Sequence, residues 1–196
     1  MKMDVMIKVV ICLVTCSHMC AVDLPTASTY IEQANVMIDE LVAQGSLSDQ
    51  EAGEFQGMNL MHAAAFNDDV AYINQLIEAH PELLNAKNAA MNTPLAIAVM
   101  RENVAATQAL LDAKASPHIQ SGEQLGHVTP LIIAAHLGSL DLVELLLQAK
   151  ANPYHREDEE MSAFIAACIS QKLDVILRLR AALNDYHRDA PRDRDK

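Results

Sequence analysis

Apolar residues along the chain fall into paired helical patterns that recur. Short Ala-rich stretches open at Asn59, Thr93, Thr129 and Ser162, spaced by 34, 36 and 33 residues. About a turn after each comes a second apolar pattern at intervals of three and four. These are Val70/Ile73/Leu76/Ile77, Val104/Leu110/Leu111, Leu140/Val143/Leu146/Leu147 and Leu173/Ile176/Leu179. That spacing predicts pairs of amphipathic helices. A helix pair of this size cannot bury its own apolar face, so a period near 33 predicts units that stack and share one core. The fold class expected is all-α.

The openings read Asn59-Leu60-Met61-His62-Ala63-Ala64-Ala65, Thr93-Pro94-Leu95-Ala96-Ile97-Ala98-Val99, Thr129-Pro130-Leu131-Ile132-Ile133-Ala134-Ala135 and Ser162-Ala163-Phe164-Ile165-Ala166-Ala167-Cys168. Thr before Pro suits a helix start: the hydroxyl caps, and Pro has no N–H to leave unpaired in the first turn. Three second helices run into turns containing Pro: His80-Pro81, Ala115-Ser116-Pro117 and Ala151-Asn152-Pro153. The set resembles the ankyrin repeat, with its Thr-Pro-Leu-His-x-Ala-Ala opening, Val-x-x-Leu-Leu and Gly-Ala-Asp/Asn-Pro turn. The third repeat, with Gly138 and Val143-Glu144-Leu145-Leu146-Leu147, is the best match. The resemblance implies a solenoid of about four helix-turn-helix repeats over 57–184, divided near 57–90, 91–126, 127–159 and 160–184. Several positions depart from the pattern. His80, Lys114 and Lys150 stand where the family favours a left-handed Gly, and Met91, His127 and Glu160 replace another Gly in the finger turns. Arg180 replaces the second Leu of the last pair, which ends the array there, and two extra residues within His118–Val128 lengthen one finger.

The flanks differ in character. Residues 22–56 read as an N-terminal helical cap. A capping box at Thr29-Tyr30-Ile31-Glu32 opens a helix with Ile31, Ala34, Ile38, Leu41 and Val42 on one face, and Ser48-Asp49-Gln50-Glu51 opens a shorter one. Residues 1–21 read as an export leader: Lys2 and Lys8 flank the start, and Val9–Val14 is apolar but too short to span a bilayer. The expected location is periplasmic or secreted. A lipoprotein anchored at Cys16 and an uncleaved cytoplasmic chain are the alternatives. Cleavage after Ala21 would remove Cys12, Cys16 and Cys20 and leave Cys168, expected to be a buried small residue. Residues 185–196 alternate in charge and read as a disordered tail.

Composition sharpens this picture. Hydrophobic residues are 51% of 196 and aromatics 4%, with no Trp, so Ala, Leu, Ile and Met must fill the core. Six Gly and seven Pro are too few for the turns of a sandwich or barrel. The formal charge is −12, and no Lys or Arg occurs between Lys8 and Lys87. Such a chain lacks the basic stripe that nucleic-acid binding requires. Eleven carboxylates between Asp23 and Glu82 put the acidity at the front of the folded part, which reads first as a solubilising surface, with selection for a partner of basic surface at that end as the alternative.

No Walker loop, dinucleotide fingerprint, nucleophile elbow or paired-cysteine zinc spacing occurs. The ankyrin resemblance implies that His62 hydrogen-bonds within its repeat. His118, His127, His136 and His155 lack ligand spacing, and Glu157–Glu160 reads as a solvated finger. No catalytic residue, metal or cofactor is assigned; a metal-dependent regulator or enzyme using the His-bearing or acidic fingers is the alternative. The ankyrin resemblance implies a non-catalytic module that binds another protein in its concave groove. Carried over by alignment, Phe66 and Asn67, Met100 and Arg101, His136 and Leu137, and Ile169 and Ser170 face that groove. Phe66, Met100, Leu137 and Ile169 would form an apolar ladder, and Asn92, Leu125, Asp158, Glu159 and Met161 the finger rim. The protein is expected to be a monomer, an exported accessory protein or a host-directed effector, with no membrane span.

Overall fold

The computed structural model describes residues 57–122, 126–154 and 162–189. The expected leader, cap and charged tail, and the finger residues Leu125, His155, Asp158, Glu159, Glu160 and Met161, lie outside the described residues. The described residues form eight α-helices and no strand. The helices are α1 (Leu60–Phe66), α2 (Val70–Ala79), α3 (Pro94–Met100), α4 (Val104–Asp112), α5 (Pro130–Leu137), α6 (Leu140–Gln148), α7 (Ala163–Ile169) and α8 (Leu173–Asp189); a 3-10 turn at Pro81–Leu83 follows α2. The helices alternate between two rows. In one row α1 packs on α3, α3 on α5 and α5 on α7; in the other α2 packs on α4, α4 on α6 and α6 on α8. This is the expected all-α repeat solenoid.

The first-row helices begin at side-chain caps. The Thr93 hydroxyl accepts from the Ala96 N–H at 3.2 Å and the Ser162 hydroxyl from the Ile165 N–H at 3.3 Å. Thr129 departs from that expectation: its hydroxyl oxygen is buried and caps nothing, so the start of α5 rests on Pro130. Ala64, Ala98, Ala134 and Ala167 are buried at one register, and these small side chains let successive helices approach closely. Leu76, Leu110, Leu146 and Leu179 share one register of the second-row helices and are buried likewise. Fully burying one such side chain is worth roughly 2 kcal/mol.

Polar side chains tie each repeat to the next. Asn103 donates to the Ala65 and Phe66 carbonyls at 2.8 and 2.9 Å, pairing acceptors left over at the end of α1. Asp68 accepts from the Ala106 N–H at 2.8 Å, in the first turn of α4. Asn85 accepts from the Ser116 N–H at 2.9 Å. The Ser170 hydroxyl donates to the His136 carbonyl, and the Arg178 Nε reaches Glu144 at 2.5 Å.

The turns hold the expected left-handed residues, with one exception. Lys114 and Lys150 adopt φ of 71° and 65°, but His80 has φ −139° and leads directly into the 3-10 turn, so that position needs no Gly. Met91 and His127 are left-handed at φ 60° and 54°. The first-row helices exit through Asp68, Glu102, Gly138 and Gln171, all at positive φ. Gly138 takes that conformation without strain, and an added Cβ there would stand 2.2 Å from the Lys172 Cγ, so the lysine side chain would have to shift.

The last helix pair corrects one expectation. Cys168 aligns with Ala65, Val99 and Ala135, all of them fully buried, yet it is exposed. The earlier positions are covered by the following repeat, and among the described residues none follows α7–α8. Arg180 is exposed for the same reason. Helix α8 is also longer, 17 residues against nine in α4 and α6. Tyr154 braces it, donating from its hydroxyl to the Leu183 carbonyl at 3.3 Å, with its ring 5.2 Å from that of Tyr186. Lys114→Gly and Glu102→Gly are each expected to stabilise the protein by about 0.5–1 kcal/mol, since relief of left-handed strain outweighs the added entropy of the unfolded chain. Urea titration would show the midpoint rising at an unchanged slope.

Candidate functional site

Asn59 and His62 anchor the first repeat. Asn59 is extended at φ −95°, which aims its side-chain oxygen at the His62 N–H at 3.1 Å. In return the Asn59 N–H donates to Nδ1 of His62 at 3.2 Å. The other ring nitrogen, Nε2, donates to the Asn92 carbonyl of the next finger at 2.9 Å. One ring nitrogen therefore accepts, the other donates, and the imidazole is neutral. Burial, partly opposed by the backbone contacts, lowers its pKa to about 4. His62 is thus hydrogen-bonded within its repeat, as expected, and through Asn92 it is also a strut to the next one.

Asn92 is consequently not a rim residue. It is buried, its N–H donates to Asn88 Oδ1 at 2.8 Å, and its carbonyl holds His62. The sequence carried a signal for this, because the same register holds Met58, Val128 and Met161, all apolar. Met91, the neighbour of Asn92, is exposed, at 48%. It lines an open cleft of about 380 Å³ with Lys87, Gln120 and His127, between two successive fingers.

The groove residues separate by register. Phe66, Met100, His136 and Ile169 are equivalent positions, whereas Leu137 aligns with Asn67, Arg101 and Ser170. Helix α5 runs one residue further than its counterparts before Gly138 stops it. The expected ladder is therefore interrupted by His136. Phe66, Met100 and Leu137 are half-buried, and Ile169 is exposed at 56%. Asn67, Arg101 and His136 are exposed. Ser170 is half-buried and occupied with the His136 and Ala166 carbonyls. The Arg101 guanidinium carbon lies 4.5 Å from the centroid of the Phe66 ring, a cation–π contact joining the first two repeats and missed by the sequence reading. Two first-repeat carboxylates serve local structure: Asp68 holds Ala106, and Asp69 caps α2 by accepting from the Tyr72 N–H at 3.0 Å.

Among the described residues no three His, Cys, Asp or Glu side chains gather in a way that could hold a metal ion, and no helix is long and apolar enough to cross a membrane. Residues 127–158 match the family model for the ankyrin repeat. That match supports an ankyrin-repeat protein. It covers the α5–α6 unit and the turn after it, and the other three helix pairs share its register and its packing. No curated relative matches the chain. Ankyrin repeats point to a protein–protein interaction module with a protein as partner.

The His62 strut gives stability a defined pH dependence. Between the folded value near 4 and the ordinary 6.5, the unfolded chain binds the extra proton. Stability present above 6.5 is therefore lost as the pH falls toward 4, by roughly 3 kcal/mol in total. Urea unfolding followed through this range should show the loss. His62→Gln should be less stable at neutral pH and flatter below it.

Proposed function

We propose that the protein binds a partner protein, without catalysis, on the surface carrying Phe66, Asn67, Met100, Arg101, His136 and Leu137. The observation supporting this is the Phe66–Arg101 pair beside exposed Asn67. A flat aromatic ring held under a guanidinium offers apolar area and charge on rigid helix ends. Arg and aromatic side chains are the residue types that dominate binding energy at interfaces. The scaffold is formed before binding, so little ordering entropy opposes association. Met91 and the finger cleft extend the surface at its edge. The partner presents carboxylates or amides to Arg101, and a basic region to the acidic front of the chain. In the same reading the protein acts outside the cytoplasm, after removal of residues 1–21, as an accessory protein or a host-directed effector.

Arg101→Glu and His136→Glu alter exposed side chains, so the fold should persist. Captured from its native cells, the unaltered protein should bring down a partner that the double variant loses, while both give the same circular dichroism. Equal recovery of the partner by the two would remove the groove from the proposal. Mass measurement of the mature N-terminus checks the leader separately, and cleavage after residue 21 is the expected result.

A further inference from the structure

The cleft between the finger of residues 85–93 and that of residues 118–128 is held open by strained residues. Met91 and His127 stand at equivalent positions of the two fingers, and both line the cleft. Both are left-handed, at φ 60° and 54°, a conformation that Gly takes freely and a side chain makes costly. Both are exposed, so burial does not offset that cost. Exposed side chains kept on strained backbone point to a use for the side chains themselves. The cleft is also rigid. Gly122 lies outside the left-handed region, yet a Cβ there would stand 2.8 Å from the Ala90 carbonyl oxygen and 3.1 Å from the Met91 Cβ. The two finger backbones therefore meet at a place only Gly allows. Each turn is closed by its own backbone, Asn88 N–H to the Asn92 carbonyl and Ser121 N–H to the Val128 carbonyl, both at 3.0 Å.

The lining selects the occupant. Ala89, Ala90 and Met91 supply an apolar wall. The titratable side chains that line the cleft are Lys87 and His127, and no carboxylate lines it among the described residues. This reverses the sign of a chain with 26 acids against 14 Lys and Arg. Among the described residues Lys87 has no ion-pair partner and the His127 ring makes no hydrogen bond. Ser121 is buried and its hydroxyl accepts from the Val128 N–H at 3.1 Å, which leaves its own hydrogen to give. An ammonium, an imidazole N–H and a hydroxyl thus line one space of about 380 Å³, the size of a small ligand site. A carboxylate is the group that accepts from all three, and an apolar residue beside it would lie on the alanines and Met91.

We propose that this cleft takes a segment of the partner protein in which a carboxylate side chain adjoins an apolar one. The proposal rests on the reading that the protein binds a partner, and it names a part of that partner. It is tested on the full chain by NMR, following the Met91 methyl and His127 ring signals during titration with the peptide acetyl-Ala-Leu-Glu-Ala-amide. Saturable shifts are expected, with a dissociation constant on the order of 1 mM. The Gln counterpart of the peptide should bind about tenfold more weakly, and so should the Lys87→Glu variant. Met91→Gly and His127→Gly separate binding from folding: each should raise the urea midpoint, by relief of strain, and still weaken the peptide. No saturation, equal binding of the Gln or Lys counterpart, or full binding by Lys87→Glu would overturn the proposal. So would citrate binding as tightly as the peptide, which would make this a site for free anions. Gly variants that lose stability along with binding would also overturn it, since the side chains would then be structural. The titration needs no partner and touches neither Arg101 nor His136. Its failure would leave partner capture through the groove standing, and failure of that capture would leave the titration standing.

Discussion

Every helix pair in this chain depends on its neighbour for a dry face. The side chains that achieve this are small or aliphatic and sit at fixed registers: Ala64, Ala98, Ala134 and Ala167 in one row of helices, Leu76, Leu110, Leu146 and Leu179 in the other. No single centre organises the fold. Cohesion comes from the interface repeated between successive pairs, and stability is a sum over pairs and the contacts between them. The sparse aromatics follow from this constraint, since close helix approach leaves no room for larger rings.

Polar ties are added at each boundary, differently each time. His62 reaches the Asn92 carbonyl, Asn103 the Ala65 and Phe66 carbonyls, and Arg178 reaches Glu144. Each pairs a group that packing alone would leave without a partner, and loss of a partner costs more than the bond itself contributes. His62 carries a further consequence. A ring whose two nitrogens are already committed to an incoming N–H and a carbonyl has no place for a second proton, so acid acts directly on the first boundary.

Much of this was legible in the sequence. The period, the paired helices and the Thr-Pro openings follow from residue type and spacing, and the structural role of His62 from the ankyrin resemblance. Two of the errors share a cause: alignment gives register but not what covers a position. Cys168 sits at a buried register, and only the lack of a following pair among the described residues exposes it. Asn92 looks like a polar finger residue, yet the backbone turn takes it inward to meet His62. Leu137 is a different case, an apolar residue one position past the register of Phe66, Met100 and Ile169, where His136 stands instead. The Phe66–Arg101 contact joins residues 35 apart through side-chain reach, which no local pattern encodes. The surface is correspondingly less readable than the scaffold, because repeat spacing constrains only the side chains that meet a neighbour.

The most direct test of neighbour dependence is amide hydrogen exchange on a chain altered in one pair. Leu146 is fully buried on α6, which packs against both α4 and α8, and Leu146→Ala should cost about 3 kcal/mol. If the stack holds together pair by pair, protection should fall most in α5 and α6, next in the pairs on either side, and least in α1 and α2. Loss of protection confined to α6, or spread equally over all eight helices, would contradict the account.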